Sequence, residues 1–497
     1  MIYNVVTAQE AASLIKNNDT LGIGGFSSVG TPKAVPAALA EYAKSQHIQG
    51  KEFKVGLITG GATGNTIDGA LAQEDAVLFR TPFQSNKDMR TAINEKKIAY
   101  FDLHLSHIGQ DVRYGFLPKI DIAIVEASEI TDNGEITLTT SVGISPTLLQ
   151  QADRIIVELN AAHYGKLKGM HDIYIPSTPP YRKEIPIYHV NDRAGDSIIK
   201  VDPKKIIAIV ETNERDHIAP FTPLNETTQQ IGYNVAQFLL KEWKKGGIPK
   251  EFLPLQSGVG NIANAVLGAL GADKQLPAFS MFTEVIQNSV IDLMEKGIIQ
   301  FATGSSLTLS EDHLDTIYNN LDFFKKRILL RPQEITNHPE MIRRLGVIAI
   351  NTALEADLFG NINSTHVLGS KIMNGIGGSA DFSRNAYLSI FTTPSTAKNG
   401  LISSIVPQVA HVDSTEHDVR ILVTEQGVAD LRGKSPYQRA QCIIENCAHP
   451  DYKQLLWDYL KLSEGKACHT PFSLKNAFQM HLAFEETGDM RNTRYII

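Results

Sequence analysis

The chain has 497 residues, 42% hydrophobic and 20% charged, with a net charge of -7 at pH 7. That length is too great for one ordinary core and predicts two domains, while the acidic balance gives no reason to expect nucleic acid as a partner. No apolar run reaches the length of a bilayer span, and Met1-Ile2-Tyr3-Asn4-Val5 lacks the basic start and apolar core of a signal peptide, so no membrane is expected. Three cysteines, Cys442, Cys447 and Cys468, form neither a disulfide framework nor a Cys-x-x-Cys pair, and a reducing cytoplasm is the expected home.

Strands alternate with helices from the start. Thr7 followed by Glu10 predicts a capped helix over 7–16. Residues 20–26 read as a short strand running into Gly24-Gly25, and Pro32 opens a helix to Lys44. Residues 53–59 read as a strand ending in the turn Gly60-Gly61-Ala62-Thr63-Gly64. Residues 120–126, 154–160 and 205–211 are nearly all apolar, as buried parallel strands are. Between them, residues 164–202 carry four prolines and many polar residues, and predict an irregular excursion. Charged and proline-bearing residues 213–224 place a domain boundary near 215, giving domains over 1–214 and 215–497. The second half repeats the scheme: a long amphipathic helix over 227–245, a glycine turn at 256–263 opening a helix, strands at 347–350, 386–391 and 419–425, and helices from Pro436 and Pro450. The whole predicts an α/β protein with two similar open-sheet α/β domains.

Between the glycine turn and those later strands, Phe279 to Gln287 leads an apolar run into one carboxylate, Glu284, with a helical pattern following. A carboxylate at a strand end of an open sheet sits where ligands bind, as nucleophile, base or ribose ligand. Gly258-Val259-Gly260-Asn261-Ile262-Ala263 matches G-x-G-x-x-G/A, with Glu284 at a comparable offset to the acidic residue of a dinucleotide site. An NAD-dependent dehydrogenase is therefore one reading. Pro254 in the preceding stretch and the position past mid-chain count against it. A plain helix-entry turn, or backbone amides holding a phosphate- or amide-rich ligand, fits equally. Gly375-Ile376-Gly377-Gly378 is a second cluster, able to bring main-chain amides to a reacting carbonyl or to serve as an ordinary loop. The histidines at 104 and 107, and at 411 and 417, lack diagnostic metal-ligand spacing, and Asn337 reads as a helix cap; no metal is expected.

Taken together, Gln256–Ala265, Glu284-Val285-Ile286-Gln287, Glu334–Glu340, Met373–Gly378 and Thr424–Gly433 resemble the class I CoA-transferases, in the acetyl-CoA hydrolase/succinate CoA-transferase branch. The resemblance runs along nearly the whole chain, with Asn288 a departure where an aspartate is expected. It implies a CoA-transferase moving coenzyme A between short carboxylates, succinyl-CoA and acetate foremost, with an acetyl-CoA hydrolase on the same residues as the alternative. It implies that Glu284 becomes a glutamyl-CoA thioester, that Asn337 and the Gly378 amide serve the oxyanion, and that Glu425 lies beside the reacting centre. It places coenzyme A, a co-substrate rather than a tightly bound cofactor, against Val259, Gly260, Asn261, Ile262, Ala263, Asn374, Gly378 and Lys398. A homodimer is also implied. Because a nucleophilic carboxylate must be ionised, Glu284 is predicted to be accessible and hydrogen-bonded rather than buried in an apolar pocket.

Overall fold

The computed structural model describes residues 3–218, 224–258, 260–464 and 466–496. The chain forms two compact units that no single cut separates. The first holds Met1–Pro220, Ser280–Leu345 and Asn374–Asp381; the second holds Phe221–Phe279, Gly346–Met373 and Phe382–Ile497. The boundary expected near 215 lies close to the end of the first long segment. Glu284, however, packs with the first unit, not with a C-terminal domain. The reason is backbone pairing: Val142 N–H donates to Ser305 O at 2.9 Å, Leu307 N–H to Thr140 O at 2.8 Å, and Gln333 N–H to Gly143 O at 3.1 Å. These bonds stitch the 280–345 segment onto a loop about 160 to 190 positions earlier, and local pattern carries no trace of them.

The first unit is built on one nine-stranded sheet. Its strands are β1 (Thr20–Ile23), β2 (Val55–Thr59), β3 (Val77–Thr81), β4 (Ala99–Tyr100), β5 (Ile122–Ile130), β6 (Glu135–Leu138), β7 (Arg154–Asn160), β8 (Ile199–Lys200) and β9 (Ile206–Thr212). Seven run parallel in the order β4-β3-β2-β1-β5-β7-β9, and β6 and β8 extend β5 in antiparallel fashion. Leu21, Ile23, Leu57, Ile122, Ile124 and Ile156 are buried in one cluster with Leu39 and Ala43 of the helix Ala34–Ile48. Burial on both faces explains the near-continuous apolar runs of β5 and β7. The helix predicted from Thr7 is Ala8–Ser13, closed by the expected capping box. There Thr7 Oγ1 accepts from Glu10 N–H and the Glu10 carboxylate accepts from Thr7 N–H.

The helix Ala34–Ile48 has no cap from its own N-cap side chain. Glu158 on β7 supplies one instead, accepting from the N–H groups of Lys33, Ala34 and Val35 at 2.7, 3.1 and 2.6 Å. Beside it the Lys33 ammonium lies 2.5 Å from Glu126 Oε2 and 2.9 Å from Asp216 Oδ1, all three side chains being buried. Glu126, Asp216 and His163 bring ligand-type atoms within 4.8 Å of one another, and Lys33 already supplies a cation to the two carboxylates. Burial holds His163 down to about 4, so it is neutral. Lys33→Met should destabilise the protein by about 3–5 kcal/mol in denaturant unfolding, because it strands buried carboxylates without a counter-ion.

In the second unit Leu255–Ser257, Ile348–Thr352, Leu388–Thr392 and Ile421–Thr424 pair in parallel, in that order, and Gly427–Asp430 closes the edge antiparallel. Leu422, Phe391 and Ala429 bury against helices Pro436–Cys447 and Pro450–Lys461. No helix among the described residues is long and apolar enough to cross a membrane.

Candidate active site

The strand-to-helix reading around Glu284 needs one correction. Phe279–Phe282 is a strand, but Val285–Gln287 is a second short strand, paired parallel with Ser306–Thr308, and the helix begins only at Asn288. Val285 and Ile286 fit a helical period and bury equally well in a strand, so their pattern did not discriminate. Glu284 therefore sits in the break between two strands. Its carbonyl accepts from Ser305 N–H at 2.6 Å and Ser306 N–H at 3.2 Å. That pins the backbone on both sides of the break and leaves the side chain as the free variable.

The side chain is held by residues far away in sequence. Asn337 Nδ2 donates to Glu284 Oε1 in a short hydrogen bond. Asn337 is the C-cap of the single turn Gln333–Thr336 rather than a cap opening the helix at Pro339, and its N–H donates to Gln333 O at 2.9 Å. Its side chain has the second task. Thr336 Oγ1 donates to Asn337 Oδ1 at 2.9 Å, which orients the amide so that its N–H bonds face the carboxylates. Gly378 closes the other side. A Cβ there would overlap both Glu284 Oε1 and Asn337 Nδ2, so only glycine lets the loop lie on the carboxylate. The loop is seated by Ile376 N–H donating to both Asp102 carboxylate oxygens at 2.9 and 3.1 Å. Gly375 lies against Tyr100 Oη and Phe83, leaving no room for a side chain. The Gln333 amide donates to Gly60 O at 2.8 Å and Leu105 O at 3.0 Å, tying the glycine turn after β2 to the same wall. Phe26, Leu105 and Val285 form a small apolar cluster with Phe83 alongside.

Glu284 is hydrogen-bonded as expected and only partly open. The residue is partly exposed, and its carboxyl is crowded by Asn337 and Gly378. Burial pushes it up to about 7, against the pull of the Asn337 hydrogen bond. The expected carboxylate is partly accessible and hydrogen-bonded, but its charge is costlier than expected. The cause is Gly378, which lets a loop close where any side chain would have left a gap.

The sequence reading missed Asp381 and Ser106. Asp381 is 5% exposed, and accepts from Ser106 Oγ at 2.6 Å and Ser106 N–H at 2.9 Å. Asn337 Nδ2 stands 3.4 Å from its Oδ2. Burial pushes Asp381 up to about 7, with the neighbouring charge of Glu284 acting the same way and the Ser106 hydrogen bonds opposing. Its place three residues after Gly378 was the one available signal. His104, read as an ordinary loop residue, lies with Nδ1 3.8 Å from Asp381 Oδ1.

The remaining expected residues belong to the second unit, apart from Asn374, which is partly buried at the start of the Gly375 loop. Val259 lies outside the described residues. Gly260, at φ 113°, precedes the helix Asn261–Ala272, so Asn261, Ile262 and Ala263 form its first turn. That backbone is open only to glycine and leaves the first N–H groups of the helix without intrahelical partners. Lys398 is exposed, with its ammonium 5.0 Å from the centre of the Phe484 ring. Glu425 ends the strand Ile421–Thr424, and its carboxylate accepts from Ser395 N–H at 2.9 Å, from Ser395 Oγ, and from Gln426 Nε2 at 3.1 Å. Burial pushes Glu425 up, but the Ser395 bonds outweigh it and hold the carboxyl below its usual range. Two strand-end carboxylates thus have opposite characters: Glu425 is a settled anion, Glu284 an unsettled one.

Fold and site together define an α/β enzyme with two carboxylates, Glu284 and Asp381, gathered on one side-chain amide. Family models for the acetyl-CoA hydrolase/transferase N-terminal and C-terminal domains match residues 3–211 and 314–460. The chain is 49% identical to the propanoyl-CoA:succinate CoA transferase of Escherichia coli, covering 98% of both proteins. It is 49% identical to the succinyl-CoA:acetate CoA-transferase of Clostridium kluyveri, covering 98% of this chain and 90% of that one. It is 45% identical to the acetyl-CoA hydrolase of Saccharomyces cerevisiae, over 98% and 95%. The 4-hydroxybutyrate CoA-transferase of Porphyromonas gingivalis shares the fold at a TM-score of 0.62 and 22% identity, over 92% of this chain and 97% of that one. The chain belongs to the acetyl-CoA hydrolase/transferase family of enzymes.

Proposed function

We propose that this enzyme moves coenzyme A between short carboxylates, succinyl-CoA and acetate foremost, through a glutamyl-CoA thioester on Glu284. The observation that carries this reading is the crowding of Glu284, a carboxylate with an amide donor on one oxygen and no room beside it at Gly378 for anything larger than glycine. The relatives named as CoA-transferases support the substrate class. The family also sets aside the nicotinamide reading of the Gly258 turn.

A carboxylate oxygen of Glu284 attacks the thioester carbonyl of the acyl-CoA. The tetrahedral oxyanion collapses with loss of CoA thiolate and leaves an acyl–glutamyl anhydride. The thiolate then attacks the glutamyl carbonyl carbon, and the first acid departs as its carboxylate. A second carboxylate reverses these steps, giving ping-pong kinetics. An enclosed site keeps water from the anhydride and the thioester, which a transferase needs. Burial also leaves the ionised nucleophile poorly solvated, and so more reactive once its proton is lost. Asn337 Nδ2 and the Gly378 amide are the oxyanion donors, and Glu425 belongs beside the reacting centre. Coenzyme A runs along Val259 to Ala263, Asn374, Gly378 and Lys398. The working form is a cytoplasmic homodimer.

Mixing the enzyme with acyl-CoA and measuring its intact mass tests this reading. A CoA-sized adduct on Glu284, removed by borohydride, is the expected result; active enzyme that never carries it would overturn the covalent route. The acetyl-CoA hydrolase reading is favoured by the yeast relative, matched over the same length. CoA transfer from succinyl-CoA to acetate, compared with thioester loss when acetate is omitted, separates the two. Asn337→Ala should lower kcat by roughly 10²–10³-fold, the loss typical of one oxyanion donor. Because the Asn337 hydrogen bond holds Glu284 down, the same variant should also move the acid limb of kcat/KM to higher pH.

A further inference from the structure

Glu284, Asn337 and Asp381 form one continuous buried network around a single side-chain amide. The two hydrogens of Asn337 Nδ2 face two carboxylates, Glu284 Oε1 and Asp381 Oδ2. Its oxygen is already taken by Thr336 Oγ1. The amide can turn neither way: a flip would point its oxygen at two carboxylates and its N–H bonds at a hydroxyl. Asp381 is fixed in turn by two bonds from Ser106, which is 4% exposed at the start of the helix Leu105–Tyr114. The titratable groups facing Asp381 are Glu284, across the amide, and His104, from the turn before that helix.

We infer that Asp381 is a positioning residue for the reaction: anchored by Ser106, it clamps the Asn337 amide against Glu284, and its charge governs when Glu284 ionises. This deepens the covalent reading of Glu284 and rests on it. Two carboxylates bridged by one amide in a water-poor setting do not lose their protons independently. The first proton leaves the pair readily, while the second leaves against a charge already present. Burial raises both groups to about 7, and at Asp381 the charge of Glu284 acts in the same direction. As pH rises the nucleophile acquires its charge next to a second anion, which makes it more basic. The same anion draws the Asn337 N–H towards itself when no oxyanion is present, and so keeps the donor aimed.

The test compares the pH dependence of adduct formation by acyl-CoA in the native enzyme, Asp381→Asn and Ser106→Ala. In Asp381→Asn the acid limb should move to lower pH by about one unit, because a neutral neighbour no longer opposes ionisation of Glu284. The plateau rate should fall at least tenfold as the clamp loosens. Ser106→Ala keeps the charge but loses an anchor, so its plateau should fall with the acid limb in place. An acid limb that does not move in Asp381→Asn overturns the inference while leaving the covalent reading intact. Absence of the adduct from the native enzyme overturns the covalent reading instead. Should Asp381→Asn fail to fold, infrared titration of Glu284→Gln decides. Linkage is reciprocal, so the carboxyl band of Asp381 should then titrate at lower pH than in the native protein; an unchanged band refutes the coupling.

Discussion

Glu284→Gln should abolish the CoA adduct and reduce turnover by roughly 10⁴–10⁶-fold, the loss that follows removal of a covalent nucleophile. The same substitution should make the protein more stable, and only at the higher pH values. The Glu284 carboxyl sits at about 7 in the folded chain against an ordinary 4.5, so the folded state holds its proton more tightly. Below pH 4 the group is protonated whether folded or unfolded, and contributes nothing. As pH rises from 4.5 towards 7, the unfolded chain gives up the proton first and folding becomes less favourable. Above 7 the full cost is present, on the order of 3 kcal/mol. Glutamine removes the ionisation and with it the cost. Melting temperatures of native and Glu284→Gln protein should therefore coincide at pH 4 and diverge by pH 8, the variant being higher. Equal melting temperatures at pH 8 would show that the enclosed carboxylate is not strained by its burial.

Gly378→Ala is the second large effect. The added methyl would claim the space of Glu284 Oε1 and Asn337 Nδ2 at once. The neighbours cannot all remain: either the loop seated on Asp102 lifts or the Glu284 side chain swings away. Both separate the carboxylate from its amide donor. A misplacement of about 1 Å costs on the order of 10²-fold, and loss of the donor as much again, so kcat should fall by roughly 10³-fold or more. The fold should survive, with a loss of about 1–3 kcal/mol from overpacking. Steady-state rates, denaturant unfolding and the adduct mass measured on one preparation distinguish a broken site from a broken protein. Retained activity would mean that the loop is not held against Glu284 during turnover.

These two residues illustrate how an ordinary α/β scaffold makes a demanding site. The sheet of the first unit supplies rigid strand ends, and three loops fold over them: the glycine turn after β2, the turn that carries Asn337, and the Gly375 loop. Local bonds shape these loops, but residues distant in sequence seat them. Gln333 binds the first, and Asp102 seats the third. Asn337 and Glu284 lie 53 positions apart, and Asp381 and Ser106 lie 275 apart.

The sequence by itself determined the local structure and the family. Apolar runs marked strands buried on both faces, as in Arg154–Asn160, which forms over the residues expected. Thr7 with Glu10, and the prolines at 436 and 450, marked helix starts that the structure keeps. Those signals are legible because capping, proline geometry and two-sided burial act within a few residues. Five blocks in family order marked the enzyme class and singled out Glu284 and Asn337. Only the tertiary structure decided three further matters. It placed Ser280–Leu345 in the first unit, because strand and loop pairing across about 160 to 190 positions leaves no periodic trace. It showed Glu284 to be crowded by the Gly375 loop, because that close approach depends on a glycine about a hundred positions later whose value lies in the side chain it lacks. And it set Asp381 beside Asn337, because a carboxylate in a helical first turn looks the same in sequence whether it faces water or a nucleophile.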